Sequence, residues 1–103
     1  MRYRLFGRHA GLRVSEFVFG AGTIGTRWGH GSTSEVTRRL IDEYCDAGGN
    51  FIDTSDSYQF GESEELLGDI LRNRRNDVVL ATKFTQTADR RNGFQRHNGR
   101  TRA

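Results

Sequence analysis

Asp53, Tyr58 and Lys83 are the residues of this 103-residue chain whose types and spacing suggest joint chemistry. A phenol beside an ammonium has a specific use. The positive charge favours the phenolate, which makes the tyrosine a better acid. A carboxylate beside the ammonium keeps the lysine charged and oriented. Such a tyrosine donates a proton to a developing alkoxide near neutral pH. That is the acid half of a carbonyl reduction, and the hydride must come from a cofactor. An Asx turn would explain Asp53 alone, but not the set. Asp56 reads as a turn or solvent residue.

The three side chains meet only if the chain places them at one end of a parallel sheet. "NFIDT" and "DVVLATKF" read as strands. Side chains alternate along a strand, so Phe51 and Asp53 share one face, and Val79, Ala81 and Lys83 share a face of the other. Asp53 and Lys83 then stand at the C-terminal ends of neighbouring strands, the end that holds active sites in α/β folds. Tyr58 follows in the loop above.

The rest of the pattern supports that geometry. "RYRLFGRHAGLRVS" reads as a hairpin, and "EFVFGAG", from about Phe17, as a buried strand. Ser32 and Glu35 form an S-x-x-E capping box for a helix with Val36, Leu40, Ile41, Tyr44 and Ala47 on its apolar face. Gly48 and Gly49 stop it. Ser63 is placed to cap a second helix whose stripe is Leu66, Leu67, Ile70 and Leu71, with Glu64 and Glu65 near its positive end and Arg72, Arg74 and Arg75 near its negative end. The third strand, near Val78, is apolar enough to be covered on both faces. The order is hairpin, then β-α-β-α-β, which fits an open doubly wound sheet or a (β/α)8 barrel. Gly20, Gly22 and Gly25 spell G-x-G-x-x-G, but the helix begins only near Thr33, too late for a dinucleotide fingerprint.

Composition narrows the classes. The net charge of +3 is uneven: residues 89–103 hold five arginines and one aspartate, leaving −1 over residues 1–88. The basic tail reads as an irregular end, so no specific nucleic-acid partner is expected. No apolar run approaches a membrane span, and no secretory leader is read at the N-terminus. Cys45 is the single cysteine, which fits a reducing, cytoplasmic location; no basic partner is evident for it. The His, Asp and Cys residues lack metal-ligand spacing, so no metal site is expected. Trp28 serves either to pack its loop or to wall a substrate pocket.

At these residues the sequence resembles the aldo-keto reductase family. The matching stretches are "FGAGTIGTRWG", "AGGNFIDTSDSYQFGESEELLG" and "VVLATKF", and the D-T-x-x-x-Y spacing with G-E-S-E-E-L-L-G is the most specific. The resemblance runs to about Phe84. It implies an α/β fold, a partial (β/α)8 barrel with an N-terminal hairpin, three parallel strands and two helices. Residues 1–88 would form the N-terminal part of the barrel, and 89–103 the tail. It also implies NADP(H) as cofactor, a small-molecule aldehyde or ketone as substrate, and a catalytic Asp, Tyr, Lys and His. Asp53, Tyr58 and Lys83 match the first three. The family's histidine comes from a fourth strand, and His9, His30 and His97 do not fit it. Gly22, Thr23 and Ile24 match the turn that touches the nicotinamide side, with Asp53 beside them. A full barrel needs ~250 residues. The chain is therefore expected to be an N-terminal fragment, inactive alone and prone to associate through its open edges. Two rivals stand beside that reading: a catalytically inactive fragment, and a regulatory binding subunit, because the reductase-like β subunits of potassium channels resemble this family.

Overall fold

The structure, a computed structural model, describes residues 1–85. The expected basic tail lies outside the described residues. Strands β1 (Tyr3–Leu5) and β2 (Arg13–Ser15) form an antiparallel hairpin with Tyr3 opposite Ser15. Strand β3 (Phe19–Gly20), helix α1 (Ser34–Asp46), strand β4 (Phe51–Asp53), helix α2 (Glu62–Ile70) and strand β5 (Val79–Ala81) follow. The last three strands make one parallel sheet in the order β3-β4-β5. Each strand thus neighbours the next in sequence, as in a barrel wound in one direction.

The helices start where local chemistry allows, and in both cases this differs from the sequence expectation. Thr33, not Ser32, caps α1: its hydroxyl accepts from the Val36 N–H at 3.3 Å. Ser32 instead donates to the Thr23 carbonyl at 3.3 Å and sits 2.7 Å from the Thr37 hydroxyl. Gly61, at φ 96°, caps α2 without a side chain, and the helix begins before Ser63. Ser63 is buried, 2.7 Å from the Thr54 hydroxyl and donating to the Ala21 carbonyl at 3.0 Å. It ties the ends of β3 and β4 to α2.

The core lies between the sheet and the two helices. Ala21, Ile24, Ile41, Ile52, Leu67, Ile70, Leu71 and Val78 fill it. The stripe expected on α2 is the one that packs. On α1 the packing face is Thr37 and Ile41, with Tyr44 beside it, while Val36 and Leu40 stay exposed. A helix on a sheet buries only the stripe that faces it, and among the described residues nothing covers the flank bearing Val36 and Leu40. The first buried strand is also shorter than expected, because Phe17 and Val18 are exposed. For the same reason Val79, Leu80 and Ala81 are only half-buried. The described helices cover one face of β5, not both.

The hairpin docks at the N-terminal end of β4, opposite the end that bears Asp53. Asn50 makes the joint: its side-chain oxygen accepts from the Ser15 N–H at 2.7 Å, and its amide donates to the Arg13 carbonyl at 3.0 Å. The Tyr44 hydroxyl lies within hydrogen-bond distance of the Phe17 and Phe51 carbonyls, the Phe51 N–H and the Ser15 hydroxyl. Helix α1 is thereby tied to two strands. Gly48, at φ 96°, makes the left-handed turn past α1. Gly49 does a different job from the helix stop read in the sequence. A Cβ there would collide with the Tyr44 ring, which cannot retreat because its hydroxyl is held. Gly49→Ala should therefore destabilise the fold by ~2–4 kcal/mol, in the range of overpacked cores and lost hydrogen bonds. Tyr44→Phe should cost about 1–3 kcal/mol, because it removes the hydroxyl that bonds the part-buried Phe51 N–H and carbonyl. Urea denaturation of the three proteins would show the order wild type, Tyr44→Phe, Gly49→Ala.

Candidate functional site

The register of β4 and β5 brings the expected residues together. Asp53 lies opposite Ala81, and two residues further on Lys83 reaches back across the strand ends. Its ammonium donates to both Asp53 carboxylate oxygens at 3.1 Å and to the Thr54 carbonyl at 2.7 Å. Backbone pairing continues past the strands, with the Thr54 N–H on the Ala81 carbonyl and the Asp56 N–H on the Lys83 carbonyl. Both residues carrying the ion pair are therefore held by main chain.

Tyr58 closes the group. Its hydroxyl lies 3.5 Å from the Lys83 ammonium, the long limit for a hydrogen bond. The ammonium also stands 5.0 Å from the centre of the Tyr58 ring, within cation–π range. The Lys83 pKa is raised above the ordinary lysine value. Desolvation works against the shift, but hydrogen bonds from the ammonium to Asp53 and Tyr58, and their charges, outweigh it. Asp53 is 39% exposed at its side chain and Lys83 52%, so the pair stands open to solvent at the strand ends.

A loop over the same face brings a second group. The segment between β3 and α1 is pinched at its neck: the Gly25 N–H donates to the Ser32 carbonyl and the Ser32 N–H to the Thr23 carbonyl, each at 2.8 Å. Its outer part is fastened to the start of α2. Glu62 accepts from the Thr26 and Arg27 N–H groups at 2.7 and 3.1 Å, and Arg27 pairs with Glu65 at 2.7 Å. Trp28 thereby lies edge-to-face against Tyr58 and Phe60, with ring centres 6.1 and 6.3 Å apart. Gly22 lies beneath Tyr58, where an added Cβ would stand 3.9 Å from the ring. Thr23 is exposed, whereas the Ile24 side chain is in the core. Only the backbone of Ile24 is left to meet a ligand.

Two features had no clear sign in the sequence. Gln59 is fully buried in a left-handed conformation at φ 54°, and Phe60 follows it at φ 55°. Neither is a glycine, so no turn signal marked them. Cys45 does have a basic neighbour. Arg74, at the opposite end of the strands, lies beside the thiol and bonds Asp42 at 3.0 Å. The two residues are far apart in sequence, and only the packing of α1 on the segment after α2 joins them. Among the described residues no group of His, Cys, Asp and Glu is arranged to hold a metal ion.

Residues 16–103 match the model of the aldo/keto reductase family. The chain belongs to that family. It is 39% identical over 94% of its length to an aryl-alcohol dehydrogenase of Pestalotiopsis microspora, and 43% identical over 82% to a putative aryl-alcohol dehydrogenase of Saccharomyces cerevisiae. An aldo-keto reductase from Bacillus halodurans, solved in its holo form, superposes on 84% of the chain with a TM-score of 0.72 at 37% identity. The fold is thus the first part of a (β/α)8 barrel. The chain spans only 27% and 42% of the two dehydrogenases and 26% of the solved chain.

The pair has a consequence for stability against pH. The folded-state pKa of Lys83 is raised, so the folded chain holds that proton more tightly than the unfolded chain. The contribution is complete below the ordinary lysine value of ~10.4 and is lost as pH rises through the folded value. Exposure limits its size to roughly 0–1 kcal/mol. The stability difference between wild type and Lys83→Met should hold from neutral pH to about 10.4 and shrink above it, as read by urea denaturation across that range.

Proposed function

We propose that the enzyme to which this segment belongs reduces aromatic aldehydes or ketones, or oxidises the matching aryl alcohols, with NADP(H). The observation that carries the reading is the contact of Tyr58 with an ammonium that is itself held by Asp53. Tyr58 is the proton donor, Lys83 holds its positive charge against the phenol, and Asp53 orients Lys83. A nicotinamide cofactor, when bound, would supply the hydride. As the carbon–oxygen double bond opens, Tyr58 gives its proton to the oxygen, and the product is the alcohol. The Asp53 carboxylate also offsets the lysine charge, so the ammonium stays at the phenol instead of seeking another anion. Family membership and a holo-form neighbour support a nicotinamide cofactor.

The residues present fit the nicotinamide end of such a cofactor. Gly22 leaves the approach to the Tyr58 ring clear, since a side chain larger than a methyl would crowd it. Gly22 and Thr23 border the site, and Asp53 and Lys83 face it. The aromatic preference is supported by Trp28, which stands edge-to-face to both Tyr58 and Phe60 and offers a wall that suits a flat ring. Two of the relatives carry the name aryl-alcohol dehydrogenase.

The test is a chimera in which residues 1–85 replace the matching segment of the Bacillus halodurans reductase. It should reduce benzaldehyde with NADPH, and Tyr58→Phe should lower kcat by ~2–4 orders of magnitude while NADPH affinity, read by fluorescence titration, stays within about twofold. A Tyr58→Phe chimera as active as its parent would sink the assignment. The 103-residue chain by itself should show neither turnover nor micromolar NADPH binding, because it spans only 27% and 42% of the two dehydrogenases it resembles.

A further inference from the structure

We infer that Gln59 is a positioning residue that fastens the Trp28 loop to the turn bearing Tyr58, and so sets how the site accepts an aromatic substrate. The inference rests on the reductase reading for its kinetic consequence, though not for its structural one. Three observations carry it. First, Gln59 is completely buried although its side chain is polar. Second, that side chain is fully engaged with one loop. Its oxygen accepts from the Trp28 N–H at 2.8 Å, and its amide donates to the Gly22 carbonyl at 3.3 Å and the His30 carbonyl at 3.1 Å. Third, its backbone pays for the arrangement. Gln59 and Phe60 are consecutive left-handed residues, each strained by ~1–2 kcal/mol relative to ordinary backbone. Strain of this kind persists only where the surroundings over-determine it, and it clusters at functional sites.

The geometry explains why the strain is kept. Tyr58 immediately precedes Gln59. A right-handed turn at 59 and 60 would send the amide away from the loop and move Phe60 off the Trp28 ring. The left-handed pair turns the Gln59 side chain inward while Tyr58 remains over Lys83. The proton donor and the aromatic wall thus share one rigid joint. A substrate ring lying against Trp28 would find its carbonyl oxygen at a fixed distance from the phenol. Displacing a reacting group by about 1 Å costs ~10²-fold in rate, so the joint bears on how well an aromatic carbonyl is aligned.

Trp28 is the single tryptophan of the chain, so its fluorescence reads the joint directly. In the 103-residue chain the Trp28 amide should exchange with deuterium ~10-fold or more slowly than an unstructured amide. Gln59→Leu keeps the volume and removes every side-chain hydrogen bond. Gln59→Gly removes them too but relieves the backbone, so it guards against a Leu variant that fails to fold. In both, acrylamide quenching of Trp28 should rise roughly twofold and the amide protection should vanish, with circular dichroism unchanged. In the chimera, Gln59→Leu should lower the ratio of kcat/KM for benzaldehyde to that for propanal about tenfold, mainly through KM for the aromatic aldehyde. An unprotected Trp28 amide in the wild type, or quenching unchanged in a folded variant, would overturn the joint. An unchanged substrate ratio would overturn its role in selection. A parent chimera that reduces neither aldehyde would instead refute the reductase reading, and Trp28 protection would still decide the fate of the joint.

Discussion

The structure depends on the register of two neighbouring parallel strands, β4 and β5. Lys83 reaches Asp53 only because β4 and β5 run parallel with Asp53 opposite Ala81. A slip of one residue would turn every side chain of β5 to the other face. Lys83 would then point toward the helices, and an unpaired ammonium would meet the core. The apolar pattern forbids the slip from the other side. Ile52 and Val78 are buried under the helices, and their neighbours along each strand face away. Core and site therefore specify the same register.

The same register places the two ends of the sheet in different physical environments. At the N-terminal end the hairpin, Asn50 and Tyr44 satisfy backbone groups with side chains. At the C-terminal end, Asp53, Tyr58 and Lys83 face outward, and Lys83 joins the other two while donating to the Thr54 carbonyl. The first end resists change through packing, as the fit of Gly49 under the Tyr44 ring shows. The second is open, and in water an exposed ion pair contributes little. A closed barrel interior would lower the local dielectric and strengthen the Lys83–Tyr58 contact. The chemistry read from these three residues thus draws on parts of the family fold that span most of each relative's length.

What could be read from the sequence follows from the range of the interaction responsible. Strand parity is local, so Asp53 and Lys83 were placed correctly from alternation and strand order. The stripe of α2 was legible because period 3.6 is also local. The helix caps lie one or two residues from the positions that capping chemistry favours, Thr33 against Ser32 and Gly61 against Ser63. Each serine is engaged elsewhere: Ser32 with the Thr37 hydroxyl and the Thr23 carbonyl, and Ser63 with the Thr54 hydroxyl and the distant Ala21 carbonyl. The exposure of Val36 and Leu40 has a related cause. Amphipathic pattern says which residues want burial, and tertiary neighbours decide which of them obtain it. Arg74 and Cys45 illustrate the limit: 29 positions separate them, and no spacing rule links them.

Gln59 marks the other kind of limit. Left-handed backbone is ordinarily announced by glycine, asparagine or aspartate, and here Gly61 supplies that signal only two positions later. A chain folding on local preference alone would put the turn at Gly61 and leave Gln59 right-handed. The observed turn starts earlier because the glutamine amide gains three partners in a loop more than 25 residues away. Those bonds, made in a buried position where an unmet polar group costs about 1–3 kcal/mol, outweigh the local preference. Local and global signals agree through most of this chain, as they must for a sequence to specify one fold. They part company directly beside Tyr58, where the loop and the turn have to be held in a single arrangement.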